Sequence, residues 1–292
     1  MTRLDLLLLA MVAVWGANYS LIKVALREFP ELPFNALRLV IGSAICLAVL
    51  WWQRREEAGA VPAPLSRNDW IRLAVLGVIG HLCYQLLYLA GLQRTSVGNG
   101  SLILGTTPIL VALMTAWTGH ERVPPMRWVG ATISFVGLAI VVGKKVDWDA
   151  SSHLGDLLFF LGTVCWATYS VGSVPLLKTR SPLLVTGYSM GIGAVLYTMI
   201  AMPSIAALEW SRISGYTWAL TLSSAVFALA FGYLIWYTSV QRAGTTRTAA
   251  WSNVTPVFAT AIAALWIGEP VGANQVLGSL AIFTGLFITR RT

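Results

Sequence analysis

The chain has 292 residues, of which 57% are hydrophobic and 11% charged, with a mean hydropathy of +0.71. A soluble domain carries about 25% charged residues, so this chain lacks the polar surface to stay dispersed in water. Its net charge of +8 does not mark a nucleic-acid binder, because the basic residues come in ones and twos between apolar runs rather than as a stripe.

The apolar runs predict about ten membrane spans, since a hydrocarbon core about 30 Å thick needs roughly 20 apolar residues per helix. In chain order they cover residues 4–26, 32–52, 70–93, 97–117, 126–143, 155–177, 182–202, 215–240, 246–267 and 270–289. The first follows Arg3 and could pass for a signal peptide. It runs on to Leu26 without a small-residue cleavage site and is taken as a span. Ser66-x-x-Asp69 reads as a helix start before Trp70, and Pro125, Pro182 and Pro270 stand where a helix begins. Trp51, Trp52, Trp70, Trp128, Trp148, Trp210 and Trp218 fall at span ends, as interfacial tryptophans do. Cys46, Cys83 and Cys165 lie inside apolar runs and have neither disulfide nor metal spacing. Most of the lysines and arginines, Arg54, Arg55, Arg67, Arg290 and Arg291 among them, share the side of both termini. Lys23, Arg27, Arg38, Arg94, Lys144, Lys145 and Arg212 fall on the other. The positive-inside rule then puts both termini in the cytoplasm.

The chain also repeats itself. Gln93-Arg94, Thr107-Pro108, Glu121, Gly130, Phe135 and Gly137 all recur 148 residues later. The matches are Gln241-Arg242, Thr255-Pro256, Glu269, Gly278, Phe283 and Gly285. A fixed, gapless offset argues for duplication into residues 1–150 and 151–292, five spans each. An odd number of spans per copy makes the second copy enter the membrane from the opposite side, the inverted repeat of many secondary transporters.

Pro108 and Pro256 interrupt corresponding spans, where each removes a helix hydrogen bond, and they are the expected helix kinks and gating points. Trp15 with Asn18, and Trp166 with Tyr169, share helix faces at mid-span. His81, Tyr84, Gln85 and Tyr88 form a stripe on the third span, and Tyr233 and Trp236 stand on its counterpart. With Asn253 these residues form the expected lining of a substrate cavity, because polar groups at mid-membrane must face the bundle interior. No acid lies near a span centre, and His81 is the one readily titratable group placed there. Gly187-Tyr188-Ser189-Met190-Gly191 matches a serine-hydrolase pattern, but it sits in an apolar helix where small residues serve packing. No catalytic residue, metal or cofactor is expected.

Two stretches, Pro108…Gly119-His120-Glu121…Gly130…Gly137 and Pro256…Gly268-Glu269…Gly278…Gly285, together with Trp15-Gly16-Ala17-Asn18, resemble the EamA-type drug/metabolite transporter superfamily. Within it the chain looks most like the YddG group of bacterial inner-membrane amino-acid exporters. His120 before Glu121, and the missing asparagine in Trp166-Ala167-Thr168-Tyr169, depart from the pattern. The resemblance implies an all-α polytopic membrane protein with ten helices in two inverted five-helix repeats, and a cavity lined by the first, third, fourth, sixth, eighth and ninth spans. It further implies export of aromatic and other apolar amino acids across a bacterial inner membrane. The expected surroundings are the lipid bilayer, with no nucleic-acid partner, and the sequence leaves the oligomeric state open, a monomer being one option. Organic cations, sugar phosphates or nucleotide-like compounds are the alternative cargoes, and an intramembrane hydrolase using Ser189 and His81 is the alternative of another class.

Overall fold

The computed structural model describes residues 2–56, 64–95, 97–142, 153–267 and 272–291. Among them every regular element is helical. Helix α1 runs Arg3–Ala25, α2 Glu31–Glu56, and α3 Arg67–Gly77 continues through a π-helical segment, Val78–Cys83, into α4, Tyr84–Leu92. Then come α5 Val97–Gly105, α6 Thr107–Thr118, α7 Pro125–Val142, α8 His153–Gly172, α9 Val174–Leu177 and α10 Pro182–Ala206. Helix α11, Gly215–Ser223, passes through a second π segment, Ser224–Phe231, into α12, Gly232–Ala243. The chain ends with α13 Thr245–Ala249, a 3-10 segment Ala250–Val254, α14 Thr255–Ile267 and α15 Ala273–Arg291.

Six helical stretches are long and apolar enough to cross a membrane: Arg3–Ile22, Glu31–Arg55, Arg67–Leu92, His153–Leu177, Pro182–Ala206 and Gly215–Ala243. Leu102–Thr118 and Pro125–Val141 are shorter apolar helices. The stretches that carry Pro108 and Pro256 are both interrupted: α5 breaks from α6 at Thr106, and the 3-10 segment precedes α14. Large apolar side chains such as Leu113, Val195, Met199 and Leu265 stand exposed on the outside of the bundle, an arrangement stable in lipid and not in water. Trp51, Trp52, Trp70 and Trp210 are exposed at helix ends, as an interfacial belt requires. Trp148, Lys144, Lys145, Gly268, Glu269 and Pro270 lie outside the described residues.

Helix starts follow the sequence chemistry. Thr2 with Asp5, and Ser66 with Asp69, form capping boxes, in which each hydroxyl accepts from the N3 amide and each carboxylate accepts from the cap amide. The same two carboxylates tie helices together, Asp5 to Arg290 and Asp69 to Arg180 at 2.8 Å. On the opposite rim Glu28 accepts from the Ser214 amide at 2.8 Å and its hydroxyl at 3.1 Å, bonds that hold its carboxyl below the usual glutamate range.

Two seams of small residues set the packing. On α10, Gly187 faces Cys46 and Leu47 of α2, so the serine-hydrolase-like stretch is part of a helix–helix contact. Helices α7 and α15 pack closest. A methyl built on Gly137 would lie 2.7 Å from the Gly278 carbonyl oxygen, and one on Gly130 would lie 2.6 Å from that of Gly285. Residue numbers rise on α7 as they fall on α15, so the pair is antiparallel. The Ser134 hydroxyl donates to the Ile282 carbonyl at 3.2 Å across the same seam.

Candidate functional site

Aromatic side chains from α1, α4, α8 and α12 converge inside the bundle. Trp166 is the hub. Its ring centroid lies 5.1 Å from Trp236, 5.2 Å from Tyr233, 5.3 Å from Tyr84, 5.6 Å from Tyr169 and 5.8 Å from Trp15. Several of these pairs meet edge to face, the geometry that aligns the positive rim of one ring with the negative face of the next. Tyr84 passes the contact on to Tyr88, and Tyr88 to Phe159.

Polar groups are threaded through the rings. His81, in the first π segment, faces the Tyr169 hydroxyl with Nε2 at 3.0 Å and lies over Tyr233 at 5.1 Å between centroids. Gln85 donates to the Tyr233 hydroxyl at 3.3 Å, and Trp236 Nε1 donates to Ser170 Oγ at 3.1 Å. Trp15 Nε1 donates to the Ala228 carbonyl at 3.0 Å, and the Ser224 hydroxyl donates to Asn18 Oδ1 at 2.6 Å. Both acceptor and donor lie in the second π segment. A π turn shifts the backbone by one residue and leaves carbonyls open to side chains, which explains how α1 reads this stretch.

Of the sequence-predicted lining, Trp15, His81, Tyr84, Gln85, Trp166, Tyr169, Tyr233 and Trp236 come together, Tyr88 joins their edge, and Asn18 reaches the π segment beside them. The rings pack on one another and fill the space expected to be a cavity; Trp236 and Tyr169 are both 0% exposed. A groove of about 630 Å³ lies instead between α2 and α10, lined by apolar residues such as Leu47, Ile192 and Met199. Asn253 stands apart. It is buried in the 3-10 segment, and neither side-chain polar atom has a hydrogen-bond partner among the described residues.

The two prolines differ. The Leu104 carbonyl, which an amide at Pro108 would have met, accepts instead from the Thr107 hydroxyl at 2.6 Å, which replaces the lost helix bond. Pro256 follows the 3-10 turn, and the Thr255 hydroxyl makes no such bond.

Ser189 and His81 do meet, with Oγ 3.5 Å from Nε2. Ser189, however, donates to the Val185 carbonyl at 2.7 Å and is wholly buried, and His81 Nδ1 has no partner among the described residues to orient it. A nucleophile needs its proton aimed at the base, and the base needs a third group behind it. This arrangement is a packed polar contact.

Sequence reasoning missed two features. One is Ser170, the acceptor for Trp236. The other is the burial of Arg38, a residue read from sequence as lying near a span end. The structure sets it two turns inside α2, buried at 4% exposure. It was legible only through three-dimensional packing, because a basic residue a few positions from a helix start reads as interfacial.

At the rim shared with the termini, Glu121 Oε1 accepts from the Thr246 amide at 3.1 Å and from the hydroxyls of Thr246 and Thr245 at 2.6 and 3.3 Å. Arg127 approaches the same oxygen at 3.5 Å. The α6–α7 loop thereby holds the start of α13, where Gly244 turns with φ +87°. The Thr246 amide lies in the first turn of α13 and has no intrahelical acceptor. Glu121→Ala is expected to speed hydrogen exchange at this amide by about tenfold or more, the value of a charge-assisted bond. Unchanged exchange would show that the contact holds nothing.

The sequence model of the EamA-like transporter family matches residues 2–143 and 153–291. The chain is 28% identical to the uncharacterized transporter YyaM of Bacillus subtilis (strain 168), over 96% of this chain and 91% of that protein. It is 26% identical to an uncharacterized transporter of Archaeoglobus fulgidus, over 99% and 97% respectively. A crystal structure of a protein 18% identical superposes with a TM-score of 0.80, covering 98% of this chain and 95% of that one, a likeness of fold.

Proposed function

Because this chain belongs to the EamA-like transporter family and is a multi-pass membrane transporter, we propose that it exports aromatic and other apolar amino acids by alternating access through the aromatic cluster. The observation that carries this reading is the cluster itself. Trp15, Tyr84, Trp166, Tyr233 and Trp236 offer faces and edges for an aromatic or branched side chain, and Gln85, His81 and Tyr169 offer hydrogen bonds within the same space. Likeness to the YddG group points to the same cargo. The closed packing is one state of a cycle, and opening toward either side separates these rings.

The working architecture is a ten-helix bundle of two inverted halves, residues 1–150 and 151–292, in a bacterial inner membrane with both termini cytoplasmic. The α7–α15 seam supports it. Gly130 and Gly278 are repeat equivalents, as are Gly137 and Gly285, and the contacts run Gly130 to Gly285 and Gly137 to Gly278. Exchanging the halves maps each contact onto the other. Because the two helices are antiparallel, the exchange axis lies across them, in the membrane plane. Gln85 and Tyr233, also 148 residues apart, touch one another as residues on such an axis do. The π segments Val78–Cys83 and Ser224–Phe231 correspond at the same offset.

Proteoliposomes containing the purified protein are expected to take up radiolabelled phenylalanine, tryptophan and leucine saturably. Protein-free liposomes are not. Uptake no greater than in empty liposomes across an amino-acid panel rejects this cargo and directs attention to sugar phosphates and organic cations.

A further inference from the structure

Arg38 is the one buried lysine or arginine of the described set. Among the described residues its guanidinium makes a single hydrogen bond, Nη1 to Asn35 Oδ1 at 3.1 Å, and lies 5.2 Å from the Phe34 ring centroid. Nε is buried without a partner among them. Three partly buried arginines are neutralised by ion pairs: Arg127 by Glu121, Arg180 by Asp69 and Arg290 by Asp5. Arg38 has no carboxylate among the described residues. Tyr84, Tyr88, Tyr197 and Tyr233 lie within electrostatic reach of the guanidinium. Three of these four belong to the aromatic cluster, and α2 packs against the second π segment that leads into Tyr233, so the charge stands on the cluster's side of α2.

An unpaired cation inside a bilayer is costly to keep, and an apolar side chain in its place would be cheaper. A guanidinium has five N–H donors arranged as a fork that matches a carboxylate. Among the described residues no complementary acid faces the cluster either. Asp5 is the one buried carboxylate of the described set, and it is tied to Arg290 and Thr2 away from the rings.

We infer that Arg38 is the anion subsite of the transport pathway, binding the carboxylate of a substrate whose aromatic or apolar body packs among the cluster rings, and that an ammonium group on that substrate is dispensable. The inference rests on the reading of the cluster as the transport site. It differs from amino-acid export in what it demands of the cargo, because a carboxylate is required and an amine is not. Arg38 would then be satisfied only with substrate present, when the ligand supplies the missing negative charge.

Three ligands sharing one ring separate the claims: phenylalanine, 3-phenylpropionate without the amine, and phenylalaninol without the carboxylate. Thermal stabilisation of the purified full chain in nanodiscs is followed against ligand concentration, for wild type, Arg38→Met and Arg38→Gln. Phenylalanine and 3-phenylpropionate are expected to stabilise the wild type and phenylalaninol is not. In both variants the half-saturating concentration is expected to rise about tenfold or more, the loss of a charged hydrogen-bonded pair. Without ligand, Arg38→Met is expected to melt no lower than wild type, which a purely structural arginine would not allow. Stabilisation by 3-phenylpropionate but not phenylalanine rejects amino-acid cargo and keeps Arg38 as the anion subsite. Equal binding of phenylalanine and phenylalaninol, unchanged in both variants, overturns the Arg38 assignment and leaves amino-acid cargo standing. No response to any of the three overturns both.

Discussion

Trp166→Ala is expected to abolish amino-acid flux and lower the stability of the protein by about 3–5 kcal/mol, the range for truncating a large buried aromatic side chain. The residue is 5% exposed and touches Trp15, Tyr84, Tyr169, Tyr233 and Trp236. Removing it leaves a void bounded by rings that come from four helices and cannot all move inward together. Their shared edge-to-face contacts add about 0.5–1.5 kcal/mol per pair beyond burial. Trp166→Phe keeps a ring at the hub and is expected to retain part of both stability and flux. Thermal unfolding in detergent and uptake into proteoliposomes give the two readouts. An alanine variant that transports at the wild-type rate would remove Trp166 from the pathway and leave it a packing residue.

The second large effect belongs to the α7–α15 seam. Gly278→Leu is expected to prevent recovery of a folded, monodisperse protein. A methyl at that position would already sit 2.6 Å from Val141 Cγ2 and 2.8 Å from the Val141 amide nitrogen, and backbone cannot rotate aside as a side chain can. Overpacking a core by single methylenes costs about 1–3 kcal/mol, and here a four-carbon side chain meets main chain. Gly215→Ala is the control, because nothing lies within 4 Å of a methyl built there. It is expected to change stability by less than about 0.5 kcal/mol. Size-exclusion profiles and melting curves of the two variants decide the matter. Normal behaviour of Gly278→Leu would mean that α7 and α15 do not pack as described.

Much of the fold could be read from residue pattern alone, for simple reasons. A bilayer needs long apolar runs, so the stretch 182–202 announces itself and appears within α10, Pro182–Ala206. Capping boxes are local in sequence, so Ser66-x-x-Asp69 marks the start of α3 without knowledge of its neighbours. The helical stripe of His81, Tyr84, Gln85 and Tyr88 survives a change of helix type, because the π segment ends at Cys83 and three of the four residues follow it. The π turns themselves were illegible, since nothing in Val78–Cys83 or Ser224–Phe231 distinguishes i→i+5 from i→i+4 bonding before the helices pack.

The site was legible in its aromatic part and illegible in its charge. Mid-span tryptophans stand out because an interfacial belt does not explain them, and both Trp15 and Trp166 reach the cluster. Arg38 was read as a charge near a span end, and only the packing of α10 and the second π segment against α2 reveals its burial. At Pro108 the lost helix hydrogen bond is replaced locally, because the Leu104 carbonyl accepts from the Thr107 hydroxyl one residue away.

The central claim is that this closed cluster opens to each side of the membrane in turn. Single-cysteine accessibility at Tyr84→Cys tests it directly, with Cys46, Cys83 and Cys165 replaced by alanine. A membrane-impermeant thiol reagent is applied to right-side-out and to inside-out vesicles. Labelling from both sides, slowed from both by phenylalanine or 3-phenylpropionate, is the predicted result. Labelling from neither side, or labelling that no carboxylate ligand slows, would contradict transport through the cluster.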